Sequence, residues 1–149
     1  MARDRATRAR HLARELLVQA LYQRQIAGHT VPELKSQFLA AEDFERCDSE
    51  YFGELLTTIV DDTAALDALI TRYAVRSIEQ LDSVGRAVLW LGLAELKHRA
   101  DVPTRVVINE AIELTKRYGT TDSHKFVNAV LDKSARELRG EPRTRETKS

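Results

Sequence analysis

The stretch SVGRAVLWLGLAELKH, Ser83 to His98, decides the fold. Between Val84 and Leu96 only Arg86 and Glu95 carry charge, and nowhere do apolar and polar residues alternate as a half-buried strand requires. Wound as a helix, the stretch is apolar on nearly every side, which marks it as the central and most buried element of a helical protein. Asp82, immediately before it, is a helix-capping residue. Its longest apolar run, Ala87 to Ala94, is far shorter than the roughly 20 residues that cross a bilayer.

Working outward, the chain keeps to helical periodicity. It has 149 residues, with only 6 glycines and 3 prolines to punctuate them. A first helix is expected from about Thr7 to Ala27, stopped by Gly28. Thr30 and Glu33 form a capping box with Pro32 in the first turn, opening a second helix over about Val31 to Ala41. After an acidic loop, Ser49 to Tyr73 is periodic, with a break expected near Asp61 and Asp62. Ser77 and Gln80 form another capping box before the central helix. Beyond it, Pro103 opens a helix that Gly119 closes, and Thr121 or Asp122 caps a last helix ending near Leu138, before Gly140. Short connections and amphipathic helices predict an all-α protein, a compact helical bundle forming one domain over residues 1–140. The tail EPRTRETKS, residues 141–149, has no apolar residue and is expected to be disordered.

Composition excludes more than it identifies. Lys plus Arg and Asp plus Glu both number 23, so no global charge announces a nucleic-acid partner. Cys47 is the only cysteine, which excludes an internal disulfide framework and fits a reducing cytoplasm. His11, His29, His98 and His124 are scattered, with no metal-ligand spacing, no Gly-rich phosphate loop and no carboxylate cluster. We therefore expect no catalytic residues, no metal and no cofactor.

Helix-face arithmetic, at about 100 degrees per residue, shows what the core leaves over. In the first helix Ala9, Leu12, Ala13, Leu16, Leu17, Ala20 and Leu21 form one apolar face, with Arg8, Arg14, Val18 and Tyr22 outside it. The first 14 residues hold five arginines, Arg3, Arg5, Arg8, Arg10 and Arg14, against one acid, Asp4. Guanidinium groups reach phosphate oxygens and an aromatic ring stacks on an unpaired base, so this face suits single-stranded RNA. It also suits plain solvation, and the residues alone leave both readings open. Between Pro103 and Gly119, Val107, Ala111, Leu114 and Tyr118 are core positions, with Asn109, Glu113 and Lys116 on the polar side. In the last helix Val127, Val130, Leu131, Ser134 and Leu138 form the core stripe. Phe126 sits at its edge, as a partner contact or an edge-of-core aromatic.

The run DVPTRVVINEAIELTKRYGTTDSHKFVNAVLDK, Asp101 to Lys133, closely resembles the carboxyl-terminal half of the NusB family of bacterial transcription antitermination factors. The likeness extends to ARELLVQALYQ at Ala13 to Gln23 and to the helix before Asp101, so it covers nearly the whole chain except the tail. It implies an all-helical fold of two small bundles packed together, each of a three-helix type. It implies a non-enzymatic adaptor that binds the boxA element of nascent ribosomal RNA leaders with NusE, a small-subunit ribosomal protein. Together they make RNA polymerase resist termination. Some family members form homodimers. By position, the resemblance places RNA contacts on Arg8, Arg10, Arg14 and Tyr22, and on Tyr118, Asp122, His124 and Lys125. Contacts with NusE fall on Tyr22, Glu79 and Phe126. The chain departs from the family in having His11 and Leu12 where an arginine pair is frequent. The alternative is a helical protein-interaction module or homodimer with no RNA role.

Overall fold

A computed structural model describes residues 2–41, 44–74, 79, 81–119 and 123–140. The capping box expected at Ser77 and Gln80, the cap expected at Thr121 or Asp122, and the tail 141–149 lie outside them. The elements are α1 (Ala2–Ala27), α2 (Val31–Leu39), a 3-10 turn at Phe44–Arg46, α3 (Ser49–Asp61), α4 (Thr63–Tyr73), α5 (Ser83–His98), α6 (Thr104–Tyr118) and α7 (Ser123–Arg139). They form two compact units, Met1–Thr63 and Ala64–Ser149. The two small bundles implied by the resemblance correspond to these units.

In the first unit α1 packs on α3, and α2 packs on both. Its helix ends follow the sequence signals. Gly28 takes φ +73 and returns its N–H to the Arg24 carbonyl, a left-handed stop that suits glycine. The Thr30 hydroxyl accepts from the Glu33 N–H at 3.3 Å, while Glu33 Oε1 accepts from the Thr30 N–H at 2.8 Å. The expected break falls at Asp62, where the Thr63 hydroxyl donates to the Ile59 and Val60 carbonyls and closes α3. The amino terminus differs from expectation, since α1 begins at Ala2 rather than Thr7, with Asp4 in its first turn where an acid offsets the helix dipole.

In the second unit α5, α6 and α7 pack pairwise around α5, which is buried at every residue from Ala87 to Leu96. Asp82 caps it, accepting from the Gly85 N–H at 2.6 Å. The α5–α7 approach is close at Gly92, where a Cβ would lie 3.0 Å from both Leu131 methyl carbons. Gly119 ends α6 as expected but by another route. Its φ is −93, and a Cβ there would meet the Thr115 carbonyl oxygen at 2.8 Å, so the residue is small because the chain passes its own last turn.

The carboxyl end of α7 holds a clamp. Arg139 donates five hydrogen bonds: to the carbonyls of Glu95, Leu96, Arg99 and Val102 and to the Thr104 hydroxyl, at 2.8–3.1 Å. At the end of α5 the Glu95 carbonyl also accepts the Arg99 N–H and the Arg99 carbonyl the Val102 N–H, and one guanidinium joins these carbonyls and those of Leu96 and Val102 to the start of α6. Asp67 on α4 accepts from Arg86 and from the Trp90 indole, both at 2.8 Å, tying α4 to α5.

At the surface, Arg72 donates to both Glu137 oxygens at 2.6 Å and Tyr73 donates to Glu137 as well, tying α4 to α7. The Arg72 hydrogen bond, then that from Tyr73, holds the Glu137 carboxyl below its ordinary range. A lowered carboxyl pKa contributes stability above the unfolded value and loses it as pH falls through the folded one. The melting point of the wild type is therefore expected to exceed that of Glu137→Gln at neutral pH, and the gap to close on acidification below the carboxylate range. A gap independent of pH would contradict this.

Candidate RNA interface

On the first unit the basic face belongs to α1, and the structure splits it into two flanks. One flank is held by α3. The Arg10 guanidinium lies 4.0 Å over the Tyr51 ring, with Nη2 3.5 Å from Asp48 Oδ2. Arg14 lies 5.8 Å from the same ring and is only 3% exposed. Asp48 fixes this corner three ways: it caps α3 by accepting from the Tyr51 N–H at 3.1 Å, pairs with Arg10, and donates its own N–H to the Ala9 carbonyl at 2.9 Å. Partly desolvated cation–π contacts of this kind are worth about 0.5–2 kcal/mol each.

This corrects the helix-face arithmetic, which put Arg14 and Val18 outside the core. Both are buried, because α1 is covered on all sides from Ala13 to Val18 and Tyr51 lies over the arginine flank. A one-stripe reading of a helix fails where a second side is covered. Arg8 and Tyr22 are exposed as expected, Tyr22 by 43%.

The other flank of α1 faces the 3-10 turn. Arg5, Arg8, Ala9, His11, Leu12 and Glu15 there meet Glu45, Arg46 and Cys47 around a pocket of about 700 Å³. His11 Nε2 is 3.3 Å from Glu15 Oε2, one helical turn on. Burial, and then the neighbouring Asp48 charge, push the Cys47 thiol up, which disfavours the nucleophilic thiolate. Arg46 did not stand out in the sequence and Cys47 did so only as the single cysteine, since what gives both a place here is the fold of the turn against α1.

On the second unit Tyr118 is 37% exposed, not core, and Arg117 lies 5.3 Å over its ring. The α6 stripe ends at Leu114 and Thr115, so its final tyrosine projects past the packed region. Arg117 was missed by face counting because it gains its place from the adjacent ring. His124 is half-buried, Lys125 and Glu79 are exposed, and Phe126 is 8% exposed, which makes it an edge-of-core aromatic in this structure. The Ser123 hydroxyl lies 3.5 Å from Asp82 Oδ2, so the start of α7 is anchored beside the cap of α5. Asp122 lies outside the described residues.

Among the described residues no group of His, Cys, Asp or Glu is placed to hold a metal, and no helix is long and apolar enough to cross a membrane. The described surface offers guanidinium groups, exposed tyrosines and the pocket beside the 3-10 turn.

Comparison with known proteins settles the kinship. The sequence profile of the NusB family matches residues 11–136. The chain belongs to the NusB family. The transcription antitermination protein NusB of Alcanivorax borkumensis is 52% identical over 131 residues, covering 88% of this chain and 87% of that protein. That of Photorhabdus laumondii is 47% identical over 131 residues, covering 88% and 95%. Among solved structures, T. maritima NusB superposes with a TM-score of 0.74 at 33% identity, over 85% of this chain and 90% of that one. A NusB crystallised with NusE and double-stranded RNA superposes with a TM-score of 0.72 at 29% identity, over 87% and 98%. The all-helical fold expected from Ser83–His98 is thus the NusB fold.

Proposed function

We propose that this protein is a transcription antitermination factor, a non-enzymatic cytoplasmic adaptor that binds the boxA RNA of ribosomal RNA leaders together with NusE. The complex acts on RNA polymerase so that it resists termination. One observation carries this reading: a relative of the same fold, aligned over 87% of this chain, was crystallised with both NusE and RNA. The surface chemistry supports it. Arg8 on α1 and Lys125 on α7 are exposed cations for phosphates, and Tyr22 and Tyr118 are exposed rings for bases. Arg10 supports the surface through Tyr51 and Asp48 while keeping part of its guanidinium in solvent. Arg14 acts from beneath, orienting Tyr51, and Phe126 backs the NusE-facing surface from the core edge.

The test is fluorescence-anisotropy titration of the ribosomal leader RNA, with and without NusE, across a range of salt. Wild type is expected to bind, and NusE to tighten binding. Arg8→Ala should lower the salt slope by about 0.7, the share of one phosphate on a single strand. Tyr22→Ala should weaken binding by the roughly 1–3 kcal/mol of one lost stack. Absence of binding under every condition, with sedimentation at twice the monomer mass, would leave a dimerisation module instead.

A further inference from the structure

The pocket between α1 and the 3-10 turn has a composition that a solvated helix face does not need. Its inner lining carries the apolar Ala9, Leu12 and buried Cys47 beside the buried Glu15, while the exposed Arg5, Arg8 and Arg46 stand at its rim. On α1 the lining residues Arg5, Arg8, Leu12 and Glu15 recur at spacings of three and four, so they share one flank, away from the Arg10 and Arg14 pair that stacks on Tyr51. At about 700 Å³ the pocket lies within the size range of small-molecule sites.

We propose that this pocket receives one unpaired nucleotide of the bound RNA, an inference that rests on the RNA-binding reading above. The base lies on Leu12, Ala9 and Cys47, and the rim arginines take its flanking phosphates. An apolar surface with a cationic rim matches a nucleotide, which is an apolar face joined to an anion. The two carboxylates refine the match. Glu15 is paired with His11, and Glu45 stands exposed at the rim, where it accepts from a donor and repels a further phosphate. The pocket therefore favours a base with an exocyclic amino group over uracil. Leu12 gives the pocket an apolar surface for the base rather than another phosphate clamp.

Two variants test it. Arg46 is exposed and Leu12 only half-buried, so Arg46→Ala and Leu12→Trp leave the interior of the unit alone. Leader RNAs carrying a single abasic site at each boxA position in turn are titrated against wild type and both variants, with NusE present. One abasic position is expected to weaken wild-type binding about tenfold, as Leu12→Trp does on intact RNA by filling the pocket. Combined, the two changes cost little more than either alone. Arg46→Ala lowers the salt slope by about 0.7. Wild-type affinity and salt slope in both variants would overturn the pocket and leave RNA binding standing. Failure of wild type to bind any leader RNA would overturn the reading on which the pocket rests.

Discussion

Arg139→Ala is expected to lower folding stability by about 3 kcal/mol and the thermal midpoint by about 10 °C. The substitution removes all five donors of the clamp at once and leaves the carbonyls of Glu95, Leu96, Arg99 and Val102 without it. Hydrogen bonds from a charged donor contribute about 1.5–3 kcal/mol when counted singly, and their sum is smaller because Arg139 is only partly buried and water can replace part of the set. Arg139→Lys is a sharper comparison. An ammonium keeps the charge near the α5 carboxyl end but cannot span carbonyls on two sides, so it should recover less than half of the loss. Thermal and urea unfolding followed by far-UV circular dichroism measures both. A lysine variant as stable as wild type would show that charge at the helix end, not the fork of donors, does the holding.

The clamp also shows where sequence reading stops. A pattern reader sees Arg139 as the last polar residue before a glycine, and Gly140, at φ +63, is indeed the expected left-handed stop. Nothing in the local pattern says that the arginine turns back to carbonyls some forty residues away, because the partners are backbone atoms that any residue supplies. The central helix was legible for the opposite reason, since Ser83–His98 carries its burial in its own side chains. Capping at Thr30 and Asp82 was legible because both halves of each device lie within three residues.

The candidate site was legible in part, along the same physical divide. Arg8 and Tyr22 project from α1 as their positions on the helix dictate. Arg14 does not, because the ring that covers it comes from α3, and Tyr118 is exposed because packing along α6 ends one turn earlier than its apolar spacing suggests. The pocket on the other flank of α1 depends on a short turn whose residues, Glu45, Arg46 and Cys47, have no periodic signature. Family resemblance supplied positions such as Tyr118 and Lys125, and the fold supplied their neighbours. The arginine cluster accordingly has two jobs: Arg10 and Arg14 brace α1 against α3, while Arg5 and Arg8 line the open side.

The second large effect concerns the α5–α7 seam, where Gly92 and Leu131 share one volume. Leu131 is fully buried, and its two methyl carbons already stand 3.0 Å from where a Gly92 Cβ would be. Leu131→Ala should cost about 3 kcal/mol, the lost transfer energy plus a cavity that α5 cannot fill with a glycine. Gly92→Val should cost about 2 kcal/mol, because its branched side chain must displace Leu131 in a packed interior, and the gain in helix propensity over glycine is smaller than that strain. Independent sites would sum to about 5 kcal/mol in the double variant. Here the valine enters the space that the leucine vacates, so the double variant is expected to lose only about 3 kcal/mol, a coupling of about 2 kcal/mol in its favour. Urea unfolding of the four proteins gives the cycle directly. Strict additivity would mean that α5 and α7 can separate at this point without penalty, and that the glycine is not there for the sake of the leucine.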